Sequence, residues 1–177
     1  MRKAARNILD AIGKVDAICI TTNGFTTKHG RAVMGRGIAL SIKTHVPNIE
    51  NILGSLIKKN GNITQFITEI NGTKLISVPS KPITVTFDGS NIVQYQQSNF
   101  NIGDTVPGFF AKSDTTIIEK SLIDLVALTK DMSDVVIPLI GCGAGELSYT
   151  HDVKHLMEQH LDIKFIACSF NEREFYK

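Results

Sequence analysis

The sequence runs to 177 residues, a length that suits one domain with a full apolar core. Hydrophobic residues make up 42% and charged residues 20%, which excludes a disordered tail or a fibre. Lys and Arg number 19 against 17 Asp and Glu, a formal charge of +2 that is too weak for the clustered basic face of a general nucleic-acid binder. Cys19, Cys142 and Cys168 are odd in number and widely spaced, a poor disulfide framework. No signal-peptide core and no stretch near the roughly 18 apolar residues of a membrane span is found, so the expectation is a cytoplasmic protein with no membrane partner.

Residues 15–22 (VDAICITT) are rich in β-branched side chains and end at Asn23-Gly24, the pattern of a buried strand followed by a turn. Residues 37–45 carry Ile38 and Ile42, with Val46 next, at helical spacing. Pro47 suits the first turn of a second helix, which sets Ile49, Ile52, Leu53 and Leu56 on one face and ends at Asn60-Gly61. Residues 63–70 and 73–78 flank Asn71-Gly72, a strong hairpin signal, and Pro79 and Pro82 are expected to stop the second strand. Residues 82–112 fit no clean period and read as a long excursion, with one short strand at 92–95.

Ser113 and Asp114 offer a helix N-cap, and Ile118, Leu122, Leu125 and Thr129 line one face behind it. Residues 134–140 (DVVIPLI) form an apolar strand that runs into Gly141-Cys142-Gly143-Ala144-Gly145. A helix over about 150–160 buries Val153, Leu156 and Met157, and residues 163–169 make a last strand. Strands that alternate with helices and are apolar on both faces give an α/β sheet covered by helices. No internal repeat and no linker interrupts it.

Two glycine-rich segments follow buried strands. The first is Asn23-Gly24 and then Met34-Gly35-Arg36-Gly37-Ile38-Ala39; the second is Gly141 to Gly145. Ligands of open α/β sheets sit beyond the carboxyl ends of the strands. Glycine lets the backbone approach them closely, and helix N-termini offer free N–H groups that suit phosphate. Either loop alone reads as a tight turn; the two together read better as a clasp for a pyrophosphate. Neither is a Walker A loop or a G-x-G-x-x-G fingerprint.

The run from Asp16 to Gly24 followed by Met34 to Ala39 resembles the first ligand loop of macrodomains. Val136 to Leu147, with Ile140-Gly141-Cys142-Gly143 at its centre, resembles the second. The pairing is similar to a branch of ADP-ribosyl hydrolases acting on acidic side chains or DNA bases, and to small phage macrodomains described as ADP-ribose-1''-phosphate phosphatases. The resemblance implies a three-layer α/β/α fold with a mixed, mostly parallel sheet, a single macrodomain over residues 1–177 with a lid-like excursion at 82–112. It implies ADP-ribose or a derivative as ligand, ADP-ribosylated protein or nucleic acid as further partners, and neither metal nor cofactor.

By that resemblance Asn23 contacts the distal ribose hydroxyls, since an amide both donates to and accepts from a diol, and Thr22 and Gly24 join it among the ligand-binding residues. Met34, Gly35, Arg36, Gly37 and Ile38 hold the diphosphate and ribose. Gly141, Cys142, Gly143, Ala144, Gly145 and Glu146 wrap the other side. Val78-Pro79-Ser80-Lys81 matches a strand end whose lysine reaches the distal ribose, which makes Lys81 the first catalytic candidate beside Asn23 and Glu146. A desolvated lysine attacks the anomeric carbon; a charged one steadies a phosphate.

The chain departs from the pattern twice. Gly145 stands where some relatives carry an aspartate, with Glu146 next to it. Asn7 stands where an aspartate commonly meets the adenine amino group. His151, His155 and Glu158 share a helical face, which reads as a solvated surface rather than a zinc site. Phe87, Tyr95, Phe100, Phe109 and Phe110 form a lid stacking on adenine or a satellite apolar cluster. Lys28, His29, Arg31 and Arg36 surround the first loop, either attracting phosphate or simply solvated.

Overall fold

The structure, a computed structural model, describes residues 1–176. A six-stranded sheet is built from β1 (Arg2–Ala5), β2 (Ala17–Asn23), β3 (Gln65–Ile70), β4 (Thr73–Lys81), β7 (Val135–Pro138) and β8 (Phe165–Ser169). Its order is β1-β8-β7-β2-β4-β3, parallel throughout except for β3, which pairs antiparallel with β4 across the Asn71-Gly72 turn. Helices α1 (Gly37–His45) and α2 (Ile49–Asn60) cover one face; α3 (Thr115–Leu128) and α4 (Lys154–His160) cover the other.

Each central strand divides its side chains between the two faces by simple alternation. On β2, Ala17 and Cys19 join the α3–α4 side while Ile18 and Ile20 join the α1–α2 side. On β7, Val135 and Ile137 oppose Val136, and on β8 Phe165 and Ala167 oppose Ile166 and Cys168. The expected three-layer α/β/α arrangement with a mixed, mostly parallel sheet is therefore present.

Helix α3 starts where its cap residue predicts: the Asp114 carboxylate accepts from the N–H groups of Thr116 and Ile117. Ile118, Leu122, Leu125 and Thr129 are all buried along it. The helix expected over 150–160 begins with a wide π turn, Tyr149–Val153, before α4 proper.

The structure corrects the sequence reading in three places. β1 was not expected, because its four residues carry two cations and no large apolar side chain to betray a strand. β4 does not stop at Pro79 but continues to Lys81; β3 supplies no residue opposite Pro79, so the missing N–H costs no rung there. The excursion holds no strand at 92–95. Instead β5 (Thr84–Thr86) and β6 (Thr105–Pro107) pair as a small antiparallel sheet, and Gln94–Asn99 forms a 3-10 turn. Phe87, Ile92 and Val106 bury a separate small core beneath it, joined by Phe100 and Phe110.

Candidate functional site

The carboxyl ends of β8, β7, β2 and β4 open onto one cleft of about 860 Å³. This is within the usual range for small-molecule sites. One end is walled by Arg6, Ile8, Cys168, Ser169, Phe170 and Asn171. The middle is walled by both glycine loops, through Gly35, Arg36, Gly37 and Ile38 on one side and Gly141, Cys142, Gly143, Ala144 and Gly145 on the other. The far end holds Ser80, Lys81, Tyr95, Phe109, Phe110 and Ser113. Three strand spacings of about 4.8 Å separate β8 from β4, so the cleft has roughly the reach of an extended dinucleotide-like ligand.

Lys81 is buried at the end of β4, with 8% of its surface exposed. Its Nζ donates to the Ala144 carbonyl at 2.8 Å and to the Phe109 carbonyl at 3.4 Å, tying the second glycine loop to the excursion. Burial pushes the amine down to about 8; the Glu146 carboxylate works against that shift, and the Arg36 cation adds to it. A lysine so placed is neutral for a useful fraction of time near physiological pH, as a nucleophile requires.

Asn23 lines the cleft at the end of β2, but its amide is committed to its own loop. Nδ2 donates to the Val33 carbonyl at 3.1 Å, and Oδ1 accepts the Phe25 N–H at 3.1 Å. Thr22 also lines the cleft. Four expected site residues stand outside its wall. Gly24 lies against Asn62 and Ile83, and Met34 is buried in the α1–α2 core. Asn7 caps a 3-10 turn by accepting the Leu9 N–H at 3.0 Å. Glu146, with a left-handed backbone (φ 59°), turns its carboxylate to the Gln94 N–H at 2.9 Å, not toward the cleft.

The second loop has no room for an acid at position 145. A Cβ on Gly145 would overlap Ser113 Oγ and the Gly141 carbonyl, whereas one on Gly143 would meet nothing. Cys142 lines the cleft, but desolvation, together with Asp152 and Glu174, pushes its thiol up to about 12, which leaves it unreactive. His151, in the π turn, and His155 and Glu158, on α4, are exposed, and Glu158 faces Lys3 at 3.9 Å. Among the described residues no group of three or more His, Cys, Asp and Glu side chains is arranged to hold a metal ion.

Sequence reasoning missed the wall contributed by residues 168–171, among which Phe170 is 76% exposed. Its signal was positional: these residues end the last strand and directly follow it, at the edge where such sheets bind ligands. Ser80 and Ser113 were missed as well, one hidden in a strand end and the other in a helix start.

No protein-family model matches the sequence, and no curated protein matches it. Solved structures do. The macrodomain of Mycobacterium tuberculosis DarG is 21% identical with a TM-score of 0.66, over 94% of this chain and 95% of that one. The macrodomain of Thermus aquaticus DarG is 18% identical with a TM-score of 0.65 over the same shares. Thermosipho africanus DarTG, solved in complex with ADP-ribose, is 16% identical with a TM-score of 0.60, over 92% of this chain and 43% of that one. Identities this low speak to architecture alone, and the architecture is unambiguous: the chain has the macrodomain fold.

Proposed function

We propose that the chain is a single macrodomain that binds ADP-ribose or a derivative along the carboxyl edge of its sheet and hydrolyses the bond to a group on the distal ribose. The observation that carries this reading is the convergence of both glycine loops and the buried Lys81 on one cleft. On this reading the ligand runs along the strand ends. Adenine lies toward the β8 end near Phe170, the diphosphate between the two loops, and the distal ribose at the β4 end by Lys81. The ADP-ribose bound to the DarTG neighbour supports the ligand class.

In the reaction the neutral Lys81 amine attacks the anomeric carbon, and the bond to the leaving group breaks with its electron pair. Water then releases the sugar and regenerates the amine. The net change is addition of one water, giving ADP-ribose and the freed group. Clamping the remote diphosphate supplies the orientation at the reacting bond. ADP-ribose-1''-phosphate, ADP-ribosylated acidic side chains and ADP-ribosylated DNA bases are the candidate substrates.

The second reading is a binding module without turnover. It is favoured by the Glu146 carboxylate, which accepts the Gln94 N–H and does not line the cleft with Lys81. Calorimetry with ADP-ribose, followed by incubation with each candidate substrate, separates the two. Binding with product release supports the hydrolase, and binding without any product supports the module. Absence of binding overturns both.

A further inference from the structure

We infer that the hydroxyl pair of Ser80 and Ser113 is a binding point for an oxygen of the ligand at the Lys81 end of the cleft. On the reading just given, that oxygen belongs to the second ribose. The two side chains come from different elements, Ser80 from β4 and Ser113 from the segment before α3, and both line the cleft. They are only 4% and 8% exposed. Ser113 Oγ donates to Ser80 Oγ at 3.3 Å.

A hydroxyl carries one donor hydrogen and two lone pairs. One bond between two hydroxyls therefore leaves one donor hydrogen over, and it has no acceptor among the described residues. Buried donors are rarely left unmet in this way unless a site needs them.

The fold does not need the hydroxyls to hold these segments together. The Ser113 N–H donates to the Gly145 carbonyl and the Asp114 N–H to the Ser80 carbonyl, each at 2.9 Å. The backbone alone thus latches β4, α3 and the second glycine loop.

The strand is also irregular at this point. Thr22 pairs with Pro79 and Asn23 with Lys81, so Ser80 is an extra residue on β4 with no partner on β2. Bulges of this kind re-aim side chains and concentrate beside active sites. Here the bulge brings two successive residues, Ser80 and Lys81, to the same cleft.

The test is calorimetry with ADP-ribose and with ADP, which lacks the second ribose, on wild type, Ser80→Ala and Ser113→Ala, alongside each protein's melting temperature. Each variant is expected to bind ADP-ribose roughly five- to tenfold more weakly, the worth of one hydrogen bond, with ADP affinity changed less than about twofold. If wild type binds and both variants bind ADP-ribose equally well, the inference is wrong. Equal weakening toward ADP-ribose and ADP also overturns it, since the pair then serves the shared part of the ligand. Variants that melt far below wild type would assign the hydroxyls to the fold and overturn it too. Failure of wild type to bind either ligand would instead overturn the proposed function.

Discussion

The Arg36 guanidinium lies 4.1 Å from the centroid of the Tyr95 ring, so the first glycine loop and the excursion meet across the mouth of the cleft. The preceding residue, Gln94, gives its N–H to Glu146 at the end of the second loop. Two adjacent residues of the 3-10 turn therefore strap both loops together over the Lys81 end. Beneath them Phe109 stacks edge-on with Phe25 at 5.2 Å and tilts against Phe110 at 4.3 Å.

A cation over an aromatic ring at an exposed site is worth only about 0.5–1 kcal/mol. Tyr95→Ala should therefore leave the melting temperature nearly unchanged while loosening the strap. Amide hydrogen exchange over residues 92–99 is expected to quicken, and ADP-ribose to associate faster. Unaltered protection in that segment would show that the strap is held by the small core under it and not by the Arg36 contact.

Lys81→Ala is expected to abolish turnover and leave ADP-ribose affinity within a few-fold. The amine titrates at about 8, below the ordinary 10.5, because burial penalises its charge. The rate should therefore climb as pH rises through about 8 and then level off. Stability carries the same sign. Between about 8 and 10.5 the native chain binds fewer protons at this site than the unfolded chain, so unfolding becomes harder as pH rises across that window. The gain disappears as pH falls through about 8. Lys81→Met should likewise abolish turnover and flatten the pH dependence of stability, and turnover by that variant with a wild-type pH–rate profile would remove Lys81 from the chemistry.

The two glycines of the second loop should fail in different ways. Gly145→Ala drives its Cβ into Ser113 and the Gly141 carbonyl, and such overpacking typically costs about 1–3 kcal/mol. For a chain of this length that amounts to a fall in melting temperature of about 2–4 °C per kcal/mol. Gly143→Ala meets no neighbour, so its melting temperature should hold. Its methyl group projects from the cleft wall, however, and ADP-ribose affinity should fall. If Gly143→Ala binds as wild type does, the second loop does not approach the ligand through that residue.

The sequence exposed most of the architecture because its central strands are continuous apolar runs and its helices carry their own punctuation. Asp114 capped α3 as expected, and Asn71-Gly72 turned the β3–β4 hairpin. Both glycine loops were visible because each follows an apolar strand. What stayed hidden depends on tertiary context. β1 is too short and too charged to show a pattern. Asn7 and Met34 could be matched to a motif, but whether they face the cleft, a cap or the core is decided by packing. The Ser80–Ser113 pair joins residues 33 apart in sequence, which no local period can bring together.

Glu146 offers a way to ask whether it acts on Lys81 or only anchors the strap. Its charge holds the Lys81 amine up against desolvation. Glu146→Gln removes that charge but keeps an oxygen that can accept the Gln94 N–H. The Lys81 inflection should then move below about 8, so the rate levels off at lower pH, while amide exchange over residues 92–99 changes little. Glu146→Ala should shift the inflection and also loosen the segment, because the Gln94 N–H loses its acceptor. Should Glu146→Gln abolish turnover at every pH without moving the inflection, Glu146 must reach the substrate itself. The strap would then have to open during the reaction and release the carboxylate.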